Sequence, residues 1–315
     1  MPIIDLLLKE HPVRKSRAQK AAFRSWVMEQ AQAMGYAAQV EQQGMHANLV
    51  IGDPETSQVI FTAHYDTPAR MVVPNLIFPA NIPMFLCVQL ALVLGLLAIS
   101  VAVGGTVGML LHQPQTGYFV GLAVYWVILL LMLLGPANPS NANDNSSGVA
   151  AVLELMARIP QEQRAHAAFL LFDNEEKGLL GSSRYAKAHP EVRKGKLLIN
   201  LDCVGDGEHV LFMANQATRA HALFPLLIQT MEEQPGRQFV LREMEKSVYP
   251  SDQRHFALGI AVCACQKSRR LGYYCSKIHT AGDTVCSQEN MDYLAAGLTR
   301  FVAAIASAEK TAPAA

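Results

Sequence analysis

The sequence contains a long central segment that has no charged residue. Asp, Glu, Lys and Arg make up 17% of the 315 residues, whereas an average soluble protein has roughly 25%. This deficit is local, because residues 71–143 contain none of these four residue types and His112 is their only histidine. The rest of the chain has an ordinary globular composition and can bury a sizeable core in one large domain or two small ones.

Three further absences limit the function classes. Acidic and basic residues balance to a formal net charge of zero, and no basic stripe with interleaved aromatic residues is present, so nucleic-acid binding is not expected. The six cysteines form no CxxC pair. Cys263 and Cys265 fit one face of a buried strand, which favours free thiols over disulfides or zinc ligation. The N-terminal apolar run is too short for a secretory signal, which predicts a cytoplasmic location for the polar part of the chain.

Two runs within the uncharged segment are long enough to cross a bilayer. Residues 82–103 and 118–134 contain 22 and 17 residues, and a spanning helix needs roughly 17–25. Gly, Pro and Gln in residues 104–117 predict a short loop, so the two runs form a helical hairpin. A hairpin buried against the rest of the chain or a second subunit is the alternative, but runs that are uncharged on every face are hard to cover with protein. The predicted partner of residues 82–134 is therefore the lipid bilayer.

A hairpin returns the chain to the side of the membrane that it left. We therefore predict one discontinuous domain of residues 1–75 and 137–310, an inserted hairpin at residues 76–136 and a disordered tail at residues 311–315. The loop between the helices lacks Lys and Arg, whereas Arg70 and a basic N-terminal helix lie on the other side. This distribution places the domain in the cytoplasm by the positive-inside rule. Gly104, Gly105 and Gly108 could pair the hairpins of two subunits.

Outside the hairpin, hydrophobic periodicity predicts alternating helices and strands. Residues 11–34 favour an amphipathic helix whose basic first half faces solvent or an anionic membrane surface; its apolar face is Ala22, Phe23, Trp26, Val27 and Ala31. Strands are predicted at residues 46–53, 57–64, 165–173, 195–202, 209–214 and 259–266, and further helices at residues 146–159, 178–189, 218–233 and 288–310. This alternation predicts an α/β three-layer sandwich with a mostly parallel mixed central sheet, to which the transmembrane-like α-hairpin is added.

Acidic residues and histidines follow the predicted strands, at the ends where open α/β sheets bind ligands. They are His64 and Asp66, Glu175 and Glu176, and Asp202, together with Asp144 at the start of a helix and His279 in a late loop. Any one of these fragments is commonly a core or surface feature. Together they form a ligand set for two divalent ions that share a carboxylate. Mixed imidazole and carboxylate ligands favour zinc, with Co²⁺ or Mn²⁺ as substitutes.

The order of the motifs HxD, DxxSG, EE, NLD and HTxxDT resembles that of the M28 family of co-catalytic zinc peptidases, which contains bacterial leucyl aminopeptidases. The resemblance covers residues 48–76 and 138–308, and DNEEKGLLGSSRYA at residues 173–186 is its most specific motif. It implies a zinc-exopeptidase-like fold and an aminopeptidase that acts on peptides. Members of the family are commonly exported with a signal peptide, whereas no secretory signal is expected for this chain. The chain also has 79 residues between His64 and Asp144, where a short loop is usual; the hairpin accounts for the excess.

The resemblance also implies a role for each site residue. The metal ligands would be His64, Asp144, Glu176, Asp202 and His279, with Asp144 as the bridge between two zinc ions. Asp66 would orient the imidazole of His64, and Asp283 would do the same for His279. A water held between two dications is acidified towards neutral pH. Glu175 would accept the proton of that water as general base and pass it to the leaving amine.

Two other functions are compatible with this fold. A glutaminyl-peptide cyclotransferase binds one zinc and would be expected to lose part of the ligand set, but all five residues are present. A non-catalytic membrane receptor or scaffold would be expected to lose Glu175 or a ligand, and none is lost. The hairpin is expected to anchor the enzyme with its cleft near the bilayer and to favour peptides there. Deletion of residues 76–137 is expected to leave a soluble, metal-binding domain.

Overall fold

The central β-sheet is mixed, with parallel strands in its middle. The fold is seen in a computed structural model that describes residues 1–311; the predicted tail at residues 311–315 lies outside the described residues except for its first residue. The strands are β1 (Ala38–Gln43), β2 (His46–Ile51), β3 (Val59–His64), β4 (Ala167–Phe172), β5 (Leu197–Leu201), β6 (His209–Ala214), β7 (Gln238–Glu243), β8 (Gly259–Ser268) and β9 (Gly272–Tyr274). Their order is β1-β2-β4-β3-β5-β8-β6-β7, and β9 pairs with β8. Strands β4, β3, β5 and β8 form a block in which all strands are parallel to one another. Strand β2 pairs antiparallel with β4, and β6 pairs antiparallel with β8.

Helices cover both faces of the sheet, which confirms the predicted three-layer α/β fold. The helices are α1 (Ile3–Glu10), α2 (Arg17–Ala33), α3 (Ile82–Leu110), α4 (Pro114–Leu134), α5 (Gly148–Arg158), α6 (Leu180–Ala188), α7 (Pro190–Gly195), α8 (Gln216–Arg219), α9 (Phe224–Glu232) and α10 (Gln288–Thr311). Side chains alternate along each strand. In β4, Phe169 and Leu171 pack in a core with α1, α2, α5, α9 and α10, while Leu170 and Phe172 pack on the other face with α6 and α7.

The two edge strands of the sheet were not predicted from the sequence pattern. Strand β1 (AQVEQQ) forms one edge of the sheet and has no fully buried residue, so it lacks an apolar alternation. Strand β7 forms the opposite edge and is likewise only partly buried. Strands β2 and β3 form as predicted, but β4 lies between them in the sheet. Edge strands bury few side chains, so hydrophobic periodicity is weak in them.

The N-terminal basic region differs from its prediction. Helix α2 begins only at Arg17, after Ser16, which caps it in a reciprocal pair of hydrogen bonds with Gln19. The predicted apolar face is buried except for Ala22, which is exposed. The expectation of a basic half that faces solvent or a membrane surface is wrong at two residues, since Arg14 and Lys20 are buried, with polar partners described below.

The two apolar helices are longer than predicted. Most of residues 104–117, predicted as a loop, continues α3 or begins α4, and only residues 111–113 connect the helices. The reason is close helix packing: a Cβ on Gly104 would lie 2.5 Å from the carbonyl oxygen of Gly117. Glycine therefore serves here as a contact surface between helices. Gly104 and Gly108 are used inside the hairpin, which contradicts their suggested role between subunits, whereas Gly105 faces open space.

The hairpin packs mainly on itself. Most of the buried residues in these helices lie where α3 contacts α4. The buried residues are Leu96, Ser100, Gly104, Gly108, Gly117 and Gly121. Large apolar side chains such as Leu90, Leu97 and Leu130 are more than 40% exposed. Within the described residues 1–311, the hairpin is therefore not buried against the rest of the chain, and this alternative prediction is wrong. Both helices are long and apolar enough to cross a membrane.

Candidate metal centre

The carboxyl ends of three parallel strands bring the predicted site residues to one edge of the sheet. Strand β3 ends at His64, which lies in register with Phe172 at the end of β4. Glu175 and Glu176 follow β4, and Asp202 follows β5 on the other side of β3. Asp144 comes from a distorted turn at Ala142–Ser147 that leads into α5, and His279 comes from the loop after β9. All seven residues predicted for the site meet here.

The carboxylate of Asp144 lies between the two histidines. Its Oδ1 is 3.4 Å from Nε2 of His64, and its Oδ2 is 3.0 Å from Nε2 of His279. Nε2 of His64 also lies 3.6 Å from Oδ1 of Asp202, and Nε2 of His279 lies 3.5 Å from Oε2 of Glu176. Each oxygen of Asp144 thus faces a separate group, one of His64 with Asp202 and one of His279 with Glu176. The carboxylate of Asp144 therefore contacts both histidines, one through each oxygen.

Asp66 supports the turn that carries the two glutamates. Its Oδ1 accepts a 2.9 Å hydrogen bond from the amide of Glu175, and its Oδ2 accepts one of 3.3 Å from the amide of Glu176. Oδ1 also lies 3.6 Å from Nδ1 of His64, which is too long for a hydrogen bond. Oε2 of Glu175 is 4.0 Å from Nε2 of His64. Asp66 therefore sets the position of Glu175 as well as adjoining the imidazole.

The donor set fits divalent ions. Among the described residues, Glu176 Oε1 is one of the buried side-chain atoms that have no hydrogen-bond partner. Ligand atoms of His64, Asp144 and Glu176 lie within 4.8 Å of one another, as do those of His64, Glu175 and Asp202. Oxygen and imidazole nitrogen donors at these separations are the ligands that zinc takes. The residues around His64 and Asp144 could therefore hold a divalent ion.

The electrostatics of the site are those of crowded carboxylates. Burial raises the pKa of Glu175 well above its usual value; His64 opposes this shift, and Glu176 and Asp202 add to it. Burial also raises the pKa of Glu176 well above its usual value, and the nearby Asp144 adds to the shift. Burial alone would lower the pKa of His64, but Glu175 and the other carboxylates raise it well above its usual value. A dication at the centre would offset this repulsion.

Arg14 is a site-supporting residue that sequence reasoning missed. It is fully buried, and its Nε donates to the carbonyl of Tyr65, next to His64, at 2.6 Å. A terminal nitrogen donates to Asn141 Oδ1 at 3.2 Å and to Ser146 Oγ at 3.0 Å, on both sides of Asp144. Burial lowers the pKa of Arg14 to about 10, with nearby carboxylates opposing the shift, so the guanidinium is charged at neutral pH. No signal in the sequence separates it from its basic neighbours.

Other buried contacts hold the remaining parts of the site. Lys20 Nζ donates to Asp173 Oδ1 at 2.6 Å and to Asn174 Oδ1 at 2.8 Å, directly before the glutamate pair. Ser251 Oγ donates to Asp202 Oδ2 at 2.6 Å. The carboxylate of Asp283 accepts hydrogen bonds from the amides of residues 143 and 144 at 2.8 and 3.1 Å. Asp283 thus orients the Asp144 turn, whereas the sequence analysis expected it to orient His279.

We expect Arg14→Leu to lower the free energy of unfolding by about 3 kcal/mol, because the acceptors of its hydrogen bonds remain buried without a charged donor. The measurement is urea unfolding of the detergent-solubilised protein. Arg17→Leu is the matched control, since Arg17 is exposed and its side chain donates to the sulfur of Met45. Equal stability of the two variants would contradict the supporting role of Arg14.

A cleft of about 340 Å³ opens over the site. Besides the six residues that face one another, Tyr249, Arg254, Ile77 and Asn75 line it. The hydroxyl of Tyr249 donates to the carbonyl of Asp202 at 2.9 Å. Cys203, Cys263, Cys265 and Cys275 are free and buried, as predicted, whereas Cys286 is only half-buried and Cys87 is exposed.

The fold and part of the sequence are similar to those of known proteins. Over 75 residues the chain is 37% identical to aminopeptidase YwaD of Bacillus subtilis, a match that covers 22% of this chain and 16% of that relative. Porphyromonas gingivalis glutaminyl cyclase has a similar structure, with a TM-score of 0.61 and 17% identity over 96% of each chain. A Zn-dependent exopeptidase from Parabacteroides distasonis also has a TM-score of 0.61, with 16% identity over 95% of this chain and 94% of that one.

At this low sequence identity, the two structures show only that the fold is shared. The family assignment rests on a longer match, since residues 130–302, more than half of the chain, match the sequence model of peptidase family M28. That range includes Asp144, both glutamates, Asp202 and His279, while His64 and Asp66 lie before the hairpin. The chain therefore belongs to peptidase family M28, as its motifs predicted.

Proposed function

We propose that the chain is a di-zinc aminopeptidase that hydrolyses N-terminal residues from peptides. The carboxylate of Asp144, with one oxygen towards each histidine, is the observation that carries this proposal. One ion would be held by His64 and Asp202, the other by His279 and Glu176, with Asp144 shared between them. When bound, the two ions supply an acidified water and polarise the scissile carbonyl.

Glu175 is the general base and acid of this proposal. Its side chain lines the cleft beside His64. Its backbone amide donates a hydrogen bond to Asp66, which fixes the position of the residue. As a carboxylate it takes the proton of the attacking water and delivers it to the amine that leaves. The adjacent Glu176 points towards His279 instead. Two neighbouring glutamates therefore perform different tasks because their side chains leave the turn in different directions.

We also propose that the hairpin anchors the enzyme in a bilayer, with the catalytic domain of residues 1–75 and 137–310 on the cytoplasmic side. Helices α3 and α4 have 29 and 21 residues, about 43 and 31 Å at 1.5 Å per residue, against a hydrocarbon core of roughly 30 Å. Their outer surfaces are apolar and exposed. No Lys or Arg lies between them, whereas Arg70 precedes them on the domain side, in keeping with the positive-inside rule.

The test is metal content per chain combined with a substrate panel for the full-length protein in detergent. The panel contains peptides with a free N-terminus, the same peptides with an acetylated N-terminus, and peptides that begin with glutamine. We expect two zinc ions per chain and release of the first residue from free peptides only. Removal of the metal by a chelator should abolish the activity, and added zinc should restore it.

The other candidate functions give different results in the same experiment. A glutaminyl cyclase would bind one zinc and release ammonia from the glutamine peptides while leaving their peptide bonds intact. A receptor or scaffold would show no turnover of any peptide. Cleavage of acetylated peptides at the same rate as free ones would contradict the aminopeptidase while leaving the peptidase in place.

A further inference from the structure

Two residues of the segment that leads into the hairpin, Asn75 and Ile77, line one wall of the cleft, whereas Val72 and Val73 do not. The amide of Met71 donates to the carbonyl of His279 at 2.7 Å. Further along, Ile77 and Cys275 exchange both of their backbone hydrogen bonds, at 3.2 and 2.9 Å. Residues 71–77 therefore run antiparallel to the loop that carries His279, and Ile77 lines the cleft.

The segment that leaves the hairpin returns to the same place. Pro136 follows the end of α4 by two residues, and its carbonyl accepts a 2.8 Å hydrogen bond from the amide of Arg70. The side chain of Asn138 donates to the carbonyl of Thr280, next to His279, at 2.8 Å. The segments at both ends of the hairpin are thus hydrogen-bonded to the loop that carries His279, one of the proposed metal ligands.

Chain length sets an upper limit on the distance from the cleft to the membrane. Leu134, the last residue of α4, is two residues from Pro136, at most about 7 Å. Helix α4 closely matches the hydrocarbon thickness, so Leu134 lies near the hydrocarbon edge when α4 spans the bilayer. Asn138, whose side chain donates to the carbonyl of Thr280, follows Leu134 by four residues, at most about 14 Å, so the cleft wall beside His279 lies within about 20 Å of that edge.

Two exposed apolar side chains stand at the same place. Val72 is fully exposed and Val73 is 56% exposed, in the short loop between Met71 and Asn75. Two adjacent exposed valines are costly in water, whereas the interface of a bilayer accepts apolar side chains. No charged residue follows them until Asp144. The loop therefore continues the apolar surface of the hairpin up to the edge of the cleft.

We propose that the cleft opens at the bilayer surface and that the substrates are polypeptides anchored in the same bilayer, whose N-termini extend only a few residues from it. This inference rests on the proposed peptidase function and on the proposed spanning hairpin. The Val72–Val73 loop contacts the lipid and keeps the cleft at this height. An N-terminus that emerges from the membrane then reaches the metal centre without a long flexible stretch.

The experiment tests the distance between the cleft and the bilayer surface with a series of substrates. Full-length enzyme is reconstituted in phosphatidylcholine vesicles and given three peptides with the same N-terminal sequence. One peptide is soluble, and two carry a C-terminal dialkyl lipid after spacers of about six and about twenty residues, which span at most about 22 and 72 Å. We expect both anchored peptides to lose their first residue at rates within about threefold of each other, because the shorter spacer already spans the limit derived above.

The possible outcomes distinguish the position of the cleft from the peptidase function and from the spanning hairpin. Rapid hydrolysis of the soluble and long-spacer peptides, with the short-spacer peptide resistant, would overturn the surface position of the cleft and leave the peptidase intact. No hydrolysis of any of the three would instead be a failure of the proposed function. Enzyme that does not float with the vesicles would overturn the spanning hairpin, and with it this inference.

The loop contact is tested in the same vesicles with Val72→Asp combined with Val73→Asp. We expect hydrolysis of the short-spacer peptide to fall at least about tenfold, since charged side chains no longer enter the interface, while hydrolysis of the soluble peptide is unchanged. Val40→Asp is the matched control, because Val40 is 39% exposed on edge strand β1. An equal loss with both peptides, or no loss with either, would overturn the contact between this loop and the lipid.

Discussion

Glu175→Gln is expected to lower kcat by about 10²- to 10⁴-fold while leaving two zinc ions bound. The amide of glutamine keeps the shape of the side chain and can still accept a hydrogen bond, but it cannot take a proton from water. The backbone of residue 175 is held by Asp66, so the turn should keep its position. The measurement is steady-state hydrolysis of a free peptide together with metal content per chain.

The neighbouring glutamate supplies the contrast. Glu176→Gln replaces a proposed ligand 3.5 Å from His279, and we expect this variant to lose one zinc ion as well as activity. Glu191→Gln, on the exposed face of α7, is the control for the substitution itself. If Glu175→Gln also lost a zinc ion and Glu176→Gln kept both, the roles of the two residues would have to be exchanged.

Replacement of the hairpin should convert the enzyme into a soluble one. We expect the full chain with residues 82–134 replaced by a Gly/Ser linker of about eight residues to remain in solution without detergent. It should bind the same number of zinc ions and cleave soluble peptides at an unchanged rate, because the seven predicted site residues all lie outside the hairpin. Sedimentation after removal of detergent, metal content and kcat/KM check these three expectations.

The longer deletion of residues 76–137 is the informative comparison. It also removes Ile77, which pairs with Cys275, and Phe78, which is buried against Tyr274 with ring centroids 6.4 Å apart. We therefore expect this deletion to lower the free energy of unfolding by about 3 kcal/mol or more relative to the shorter one. If the shorter deletion also failed to fold, the hairpin would be part of the core rather than an anchor.

The sequence predicted the central strands and the residues of the candidate site. Strands β3, β4 and β5 are buried along their whole length and are mostly apolar, so the polar residues that follow them stand out. The edge strand β1 and the short strand β9 bury few side chains and carry no such pattern. The predicted end of α3 at residue 103 was wrong, because glycines at helix contacts cannot be distinguished by sequence from glycines in loops.

Charge alone misled the reading of the N-terminal region. Arg14 and Lys20 stand among other basic residues, and such a run is usually a solvated face. Whether one cation of the run is buried depends on acceptors far away in the chain, such as Ser146 and Asp173. No local pattern in the sequence contains that information.

The sequence by itself determined the family, the central strands, the two membrane-length helices and the identity of the polar residues at the strand ends. These properties follow from the period of apolar residues and from short motifs, which are local along the chain. Only the tertiary structure decided that Asp144 lies between two histidines from distant loops, and that Arg14 is drawn inside. It also decided that both ends of the hairpin are fastened beside His279. These features are contacts between residues far apart in sequence, and they depend on how the strands and helices pack rather than on any local pattern.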